Sequence, residues 1–459
     1  LSDRESDHQR SVAQGQNLAL TMGSHETSRI RRYLGNLLGS NLLHNTAALY
    51  AVQACRKVLP MITMPFLARV LGPSVLGTVA FVSSLGGFIV LAIEFGFTLS
   101  ATRQIAQNRN SADKCAWVIA GVLGAQALLA VLSISIALIG SRYIQLLRDN
   151  PVLLAAALIY GVCQGIYPLW LFQGLERLQL AAGLEIAGKL VGTAGIFLVV
   201  RSPEDAWKVV LLQAVAPLLS TVIGFVILSR EFSFRIPTAE LVWQALQSGW
   251  RLFVFRSGGS LYGMGNAFIL GLFANSAAVG YYSVAEKIAN AVFGLLNPVR
   301  DALYPRMSQL AVTAPKEAAR LARIGVAPMI LSGLGMGLAL FVFAPQLILA
   351  ATGGNFQPAV TVLRLLAFLP PLLSISVSVG TQWLLPFGRD AIVNRIVLTA
   401  GLLNFALAFA LAPKFQQVGM AASVLIAEIY VCTRMVLTVA AAEPFWSERF
   451  SVVDEAAPR

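Results

Sequence analysis

Twelve apolar segments follow one another along the chain, at about 42–69, 74–98, 115–139, 151–173, 180–200, 206–229, 248–273, 277–304, 324–350, 358–385, 391–412 and 418–440. Each is long enough to cross ~30 Å of hydrocarbon as an α-helix. Hydrocarbon offers no water to backbone N–H and C=O groups, so such segments are confined to helices that satisfy their own hydrogen bonds. Composition agrees: 57% of residues are hydrophobic and 12% charged, with a mean hydropathy of +0.71. A soluble domain carries roughly 25% charged residues. The sequence therefore predicts an all-α polytopic membrane protein.

The spans divide into two sets of six. Residues 1–33 are polar, lack the apolar run of a secretory signal, and read as a disordered cytoplasmic tail. Spans 1–6 make an N-lobe over 34–229, a cytoplasmic linker covers 230–247, spans 7–12 make a C-lobe over 248–440, and 441–459 form a C-terminal tail. With the N-terminus inside, the inner flanks hold fifteen Lys and Arg residues against six on the outer flanks. That asymmetry favours both termini on the cytoplasmic side. It also explains why a net charge of +12 speaks first of topology. A weak repeat supports the division. Span 1 leaves through Leu71-Gly72-Pro73-Ser74-Val75-Leu76-Gly77 and span 7 through Ala274-Asn275-Ser276-Ala277-Ala278-Val279-Gly280, with Gly77 and Gly280 in register. Six spans per half return the second half to the orientation of the first, as in parallel repeats. Prolines interrupt spans 1, 4, 6 and 10 at Pro60, Pro65, Pro168, Pro217, Pro370 and Pro371, which predicts bends.

Charges inside the spans carry the chemistry. A guanidinium or ammonium at bilayer depth costs on the order of 2.5–3.5 kcal/mol even on insertion scales. Nine basic residues nevertheless lie in or beside spans, against five acidic ones. Arg251 and Arg434 lie close enough to helix ends to snorkel. Glu185 and Lys189 are four apart and predict a pair on one helix face, and Asp301 can compensate Arg300. Arg56, Lys57, Arg256, Lys287 and Arg364 have no such account. On span 1, Asn41, Asn45, Gln53 and Arg56 fall near one face, a polar stripe that reads as the wall of a water-filled cavity. If the repeat holds, Arg56 and Arg256 face each other across its axis. Two readings compete: ion pairs that lock the bundle, or a cationic cavity. The basic excess favours the cavity, and such a cavity suits a phosphate-bearing ligand, because guanidinium groups bind phosphate oxygens in bidentate fashion and Lys adds a point charge.

Other chemistries find no support. Cys55, Cys115, Cys163 and Cys432 stand singly in apolar segments, and His8, His25 and His44 form no ligand cluster. No phosphate loop, HExxH or GxSxG elbow occurs, so neither catalysis nor a cofactor is expected. Nucleic-acid binding fails because the basic groups form no surface stripe with stacking aromatics.

Several stretches are similar to a known family. Leu49-Tyr50-Ala51-Val52-Gln53, Leu59-Pro60, Pro65-Phe66-Leu67-Ala68-Arg69-Val70-Leu71-Gly72-Pro73 and Gly77 resemble the opening of the polysaccharide repeat-unit (O-antigen) flippases, within the multidrug/oligosaccharidyl-lipid/polysaccharide exporter superfamily. Glu94-Phe95-Gly96-Phe97, running on to Arg103, looks like the family signature that ends the second helix, and Pro168-Leu169-Trp170-Leu171-Phe172-Gln173-Gly174 is similar to the end of its fourth. These stretches cover about the first 180 residues; beyond them the likeness is one of hydropathy and layout.

The resemblance implies two six-helix lobes around a central cavity and alternating access. It implies a substrate too: an oligosaccharide repeat unit on undecaprenyl pyrophosphate, carried across the bacterial cytoplasmic (inner) membrane for O-antigen or exopolysaccharide biosynthesis. Glycosyltransferases and a polysaccharide polymerase would be its working partners. Arg56, Lys57, Arg256, Lys287, Arg364, Gln53 and Asn45 become candidate substrate-binding residues by location alone. Two roles stand open for Glu94: carrier of a coupling proton or sodium ion, or structural partner of Arg103. A multidrug/cation antiporter of the same superfamily and an accessory subunit of a polymerase complex are the rival readings. The antiporter would want a buried carboxylate in span 1, where this chain has Arg56 and Lys57.

Overall fold

A computed structural model describes residues 41–233 and 235–455. The predicted tail at 1–33 lies outside them. Among the described residues every regular element is helical.

The first helix, α1 (Asn41–Glu94), holds both span 1 and span 2. It passes through Pro60 and Pro65 and breaks at Gly72, whose φ of 70° and ψ of 174° are not helical. A positive φ favours glycine, which has no Cβ to clash, and Pro73 at the start of the next helix suits its fixed φ. The chain reverses here. Arg56 and Gly87 line one cavity, although a straight rod would hold them about 46 Å apart. Next come α2 (Phe97–Gln107), α3 (Ala112–Ser141), the short α4 (Gln145–Arg148) and α5 (Pro151–Ile166). Span 4 bends at Tyr167 and Pro168 before α6 (Leu169–Gly174), at the proline that predicted it. The N-lobe closes with α7 (Leu178–Val199), α8 (Ala206–Gln213) and α9 (Val215–Leu228).

The C-lobe begins earlier than the apolar pattern indicates. Helix α10 (Ala239–Met264) starts inside the stretch read as a linker, where the Thr238 hydroxyl accepts from the Leu241 amide at 3.4 Å. Its first turns pack on α3, and a Cβ at Gly121 would lie 2.9 Å from the Leu241 carbonyl oxygen. Then follow α11 (Asn266–Phe273), α12 (Ser276–Phe293), α13 (Asn297–Thr313), α14 (Pro315–Thr352), α15 (Pro358–Leu366), α16 (Leu369–Val379) with a π turn at Gly380–Leu384, and α17 (Asp390–Glu455). Helix α17 contains spans 11 and 12. It breaks at Gln416 (φ 47°, ψ −127°), and the hydroxyls of Thr399 and Tyr430, on either side, meet at 3.0 Å. It runs through 441–455, read from the sequence as tail.

By length and composition, eight helical runs among the described residues qualify as candidate membrane spans. Two of them, Val52–Gln107 and Asp390–Ala441, contain the reversals at Gly72 and Gln416 and so make two passes each. Spans 7 and 8 are helical as well, in α10–α13. Polar side chains dilute them: α10 carries Glu240, Arg251 and Arg256, and α12 carries Glu286 and Lys287.

The lobes meet along the second half of α1. At one end Gly77 lies against Gly280. A Cβ on Gly77 would sit 1.7 Å from the Ser276 carbonyl oxygen, and one on Gly280 would sit 2.1 Å from that of Pro73. Only two bare glycines allow backbones this close. One turn further along, Phe81, fully buried, stacks on Phe268 at 5.0 Å. Roughly 27 Å along the helix from Gly77, Phe95 stacks on Phe253 at 4.6 Å, with Trp250 beside both. Both ends of the seam are thus in contact.

Candidate functional site

Between these two contacts lies a cavity of about 480 Å³. Both halves of α1 line it, with α5, α7, α8, α9 and, from the C-lobe, α11 and α12. Its apolar wall includes Leu59, Met64, Leu67 and Leu212, and its polar residues include Arg56, Lys189, Lys287, Gln164 and Gln213. Tyr160 and Gln164 are one turn apart on α5 and both line the cavity, the helical spacing that puts side chains on one face.

Arg56 lines the cavity from α1. Its Nε donates to Glu185 Oε1 at 2.6 Å and its Nη2 to Oε2 at 2.9 Å. A planar fork matched to a carboxylate is the strongest arrangement such a pair can adopt. Glu185 is buried on α7, at 8% exposure, so a partner is a physical necessity for it. The pair predicted from the i,i+4 spacing, Glu185 with Lys189, is also present, but looser, at 3.9 Å. Arg56 is therefore the carboxylate's principal partner, across helices, where sequence spacing offered only the one within a helix. The Arg56 side chain remains 40% exposed, toward the cavity it lines. One carboxylate thus faces two cations.

Lys287 lines the cavity from the opposite side, and among the described residues it forms no salt bridge within 4 Å, its neighbour Glu286 being the carboxylate that acts on it. Glu286 also lines the cavity, and its Oε1 accepts from Asn266 Nδ2 at 3.1 Å and from the Tyr282 hydroxyl at 2.9 Å. Asn404 Nδ2 in turn donates to Asn266 Oδ1 at 3.1 Å. Neutral donors thus hold this carboxylate at the cavity wall, beside the Lys287 ammonium. The hydroxyl oxygens of Ser83 and Ser283, from facing helices, are buried and without a hydrogen-bond partner among the described residues, and both serines line the cavity. Serine carries no charge or periodicity to mark it, so sequence reasoning passed over both, as it passed over Gln164 and Gln213.

The remaining candidates are placed as follows. Lys57 and Gln53 are exposed and do not line the cavity; Lys57 Nζ points toward Gly294, 3.8 Å from where a Cβ would stand. Arg364 lies over the Phe341 ring, 5.6 Å from its centroid, also outside the cavity lining. Glu94 accepts from the Thr98 hydroxyl. Asn45 and Arg256 occupy helix positions whose side chains lie outside the described residues. Arg300 and Asp301 pair at 2.8 Å, as their adjacency predicts.

The chain matches the family model for polysaccharide biosynthesis proteins over residues 42–311. It is 30% identical to a candidate O-antigen transporter of Escherichia coli (strain K12) over 87% of this chain and 97% of that protein. In fold it is similar to the lipid II flippase MurJ in an inward closed conformation, with a TM-score of 0.71 at 11% identity and 87% of each chain covered. An inward-facing multidrug resistance MATE family transporter gives a TM-score of 0.59 at 16% identity, over 84% of this chain and 99% of the other.

Proposed function

We propose a function on the premise the family match supplies: the chain belongs to the polysaccharide biosynthesis protein family. It is a lipid-linked oligosaccharide flippase, not an enzyme. The cavity binds the phosphate-bearing head of the carrier lipid and the polar sugars, while the polyprenyl tail stays in the bilayer. Undecaprenyl pyrophosphate is the carrier, and both termini face the cytoplasm. One observation carries the reading: Arg56, Lys189 and Lys287 converge on one cavity that lies across the seam between lobes. An anion there meets cations in a low-dielectric setting, where charge–charge attraction is strongest. Transport then follows from opening one end of the seam at a time, Gly77–Gly280 or Phe95–Phe253, so that the cavity faces each leaflet in turn.

A multidrug or cation antiporter shares the fold. A basic lining disfavours a cationic cargo. In the deciding experiment, the purified chain is reconstituted in vesicles and translocation of a fluorescent lipid-linked oligosaccharide is followed. Arg56→Ala combined with Lys287→Ala should abolish it in folded protein. Wild-type rates in that variant would reject the cationic cavity as the binding site.

A further inference from the structure

The Arg56–Glu185 pair poses a conflict for a phosphate site, since the guanidinium fork that would hold the ligand already holds a carboxylate. We infer that Glu185 is an internal stand-in for the phosphate, and that ligand binding hands its carboxylate from Arg56 to Lys189. The inference rests on the headgroup reading above and assigns Glu185 and Lys189 as positioning residues for it.

Three features of the geometry support the handover. First, Oε1 of Glu185 already lies between the two cations, 2.6 Å from Arg56 Nε and 3.9 Å from Lys189 Nζ. Closing the second distance to a charge-assisted hydrogen bond needs a movement of only ~1 Å. Glu185 and Lys189 are one turn apart on α7, so a rotamer change suffices and no helix need shift. Second, Arg56 uses Nε and Nη2 for the carboxylate. A guanidinium has five N–H donors, so Nη1 remains for an arriving phosphate. Third, Glu185 is too deeply buried to be left alone, since an unpaired buried charge is strongly destabilising. A ligand can take Arg56 only if a second cation takes Glu185, and Lys189 is the one within reach.

The arrangement keeps Arg56 neutralised at bilayer depth while the site is empty. It also sets a threshold. A headgroup must outcompete a bidentate carboxylate, which a diphosphate does better than a monophosphate. The rival account is a fixed staple between α1 and α7 that no ligand displaces.

A double-mutant cycle separates the two, because it isolates the coupling between neighbouring residues. Affinities of the purified full chain for undecaprenyl pyrophosphate, undecaprenyl phosphate and undecaprenol are measured for wild type, E185Q, K189M, E185Q/K189M and R56A. Each protein is first checked for a cooperative melt, with E185A in reserve should E185Q fail to fold. The handover predicts that E185Q binds the diphosphate about tenfold tighter and narrows its margin over the monophosphate, because a charge-assisted competitor has been removed. It further predicts that K189M weakens binding about tenfold when Glu185 is present, yet less than about twofold in the E185Q background. An E185Q affinity equal to or weaker than wild type overturns the handover in favour of the staple. Equal weakening by K189M in both backgrounds overturns it in favour of a direct Lys189–ligand contact. Failure of the headgroup reading looks different: wild type would not distinguish either phosphate lipid from undecaprenol, and R56A would change nothing.

Discussion

Gly77 and Gly280 face each other reciprocally across the two lobes. A Cβ on Gly77 would strike the carbonyl oxygen of Ser276, and a Cβ on Gly280 would strike that of Pro73. In the register that aligns Gly77 with Gly280, Ser276 aligns with Pro73. Each half therefore repeats the other's contact, as expected of an isologous meeting of equivalent elements. The weak sequence echo between the two turns is physical: small residues recur because two helices must touch there without side chains between them.

Gly77→Ala should then be costly and Gly140→Ala should not. The first places a methyl group 1.7 Å from a backbone oxygen, whereas the second meets nothing within 4 Å. Overpacking of this kind costs about 1–3 kcal/mol, while alanine at an unstrained helical glycine gains about 0.5 kcal/mol. Thermal melting of the two variants in one detergent gives the comparison.

The same end of the seam can be locked. The Ser74 and Ser276 hydroxyl oxygens lie 2.6 Å apart, so a Ser74→Cys/Ser276→Cys pair should form a disulfide under mild oxidation. Translocation in vesicles should stop on oxidation and return with dithiothreitol. Full transport by the oxidised protein would show that this end need not open.

Arg56 should tolerate neither loss nor conservative exchange. Arg56→Ala leaves Glu185 with Lys189 alone, at 3.9 Å, and should cost about 1–3 kcal/mol of stability besides transport. Arg56→Lys restores the charge but not the fork, so its melting temperature should recover more than its transport rate. Parallel melting and flipping assays would reveal the split.

The Glu286 network should behave as structure. Glu286→Ala removes the acceptor for both Asn266 and Tyr282, and each buried donor left unmet costs about 1–3 kcal/mol. Glu286→Gln keeps an acceptor oxygen and should retain most of the stability. A Glu286→Ala protein that melts like wild type would show the network to be dispensable.

Arg364→Ala should leave translocation close to wild type, because its guanidinium rests on Phe341 outside the cavity. A stability loss of about 0.5–1 kcal/mol is expected from the lost cation–π contact. A transport defect in folded Arg364→Ala protein would extend the site beyond the cavity described above.

The membrane-spanning helices were readable from local pattern. Hydropathy located the spans, Gly72 followed by Pro73 marked a reversal, and Pro168 marked the bend between α5 and α6. The start of α10 at Ala239 was not readable, because its first turns are polar on the open side and are held by packing on α3. Gln416 also gave no sign: a reversal through a non-glycine residue has no compositional mark.

The sequence by itself determined that the chain crosses a membrane as helices, in two related halves, with more cations than anions sunk in the spans. Each follows from periodicity, hydropathy or the cost of buried charge, which are properties of short segments. Only the tertiary structure decided which charges answer one another. Glu185 stands 129 positions from Arg56, and nothing in either segment encodes that distance being bridged. Packing of α1 against α7 sets the pair. Packing likewise decides what becomes of Glu286 and Lys287, neighbours on α12 that both line the cavity: Asn266 and Tyr282 hold the carboxylate, a tie that spans 20 positions to Asn266 and that neither segment announces.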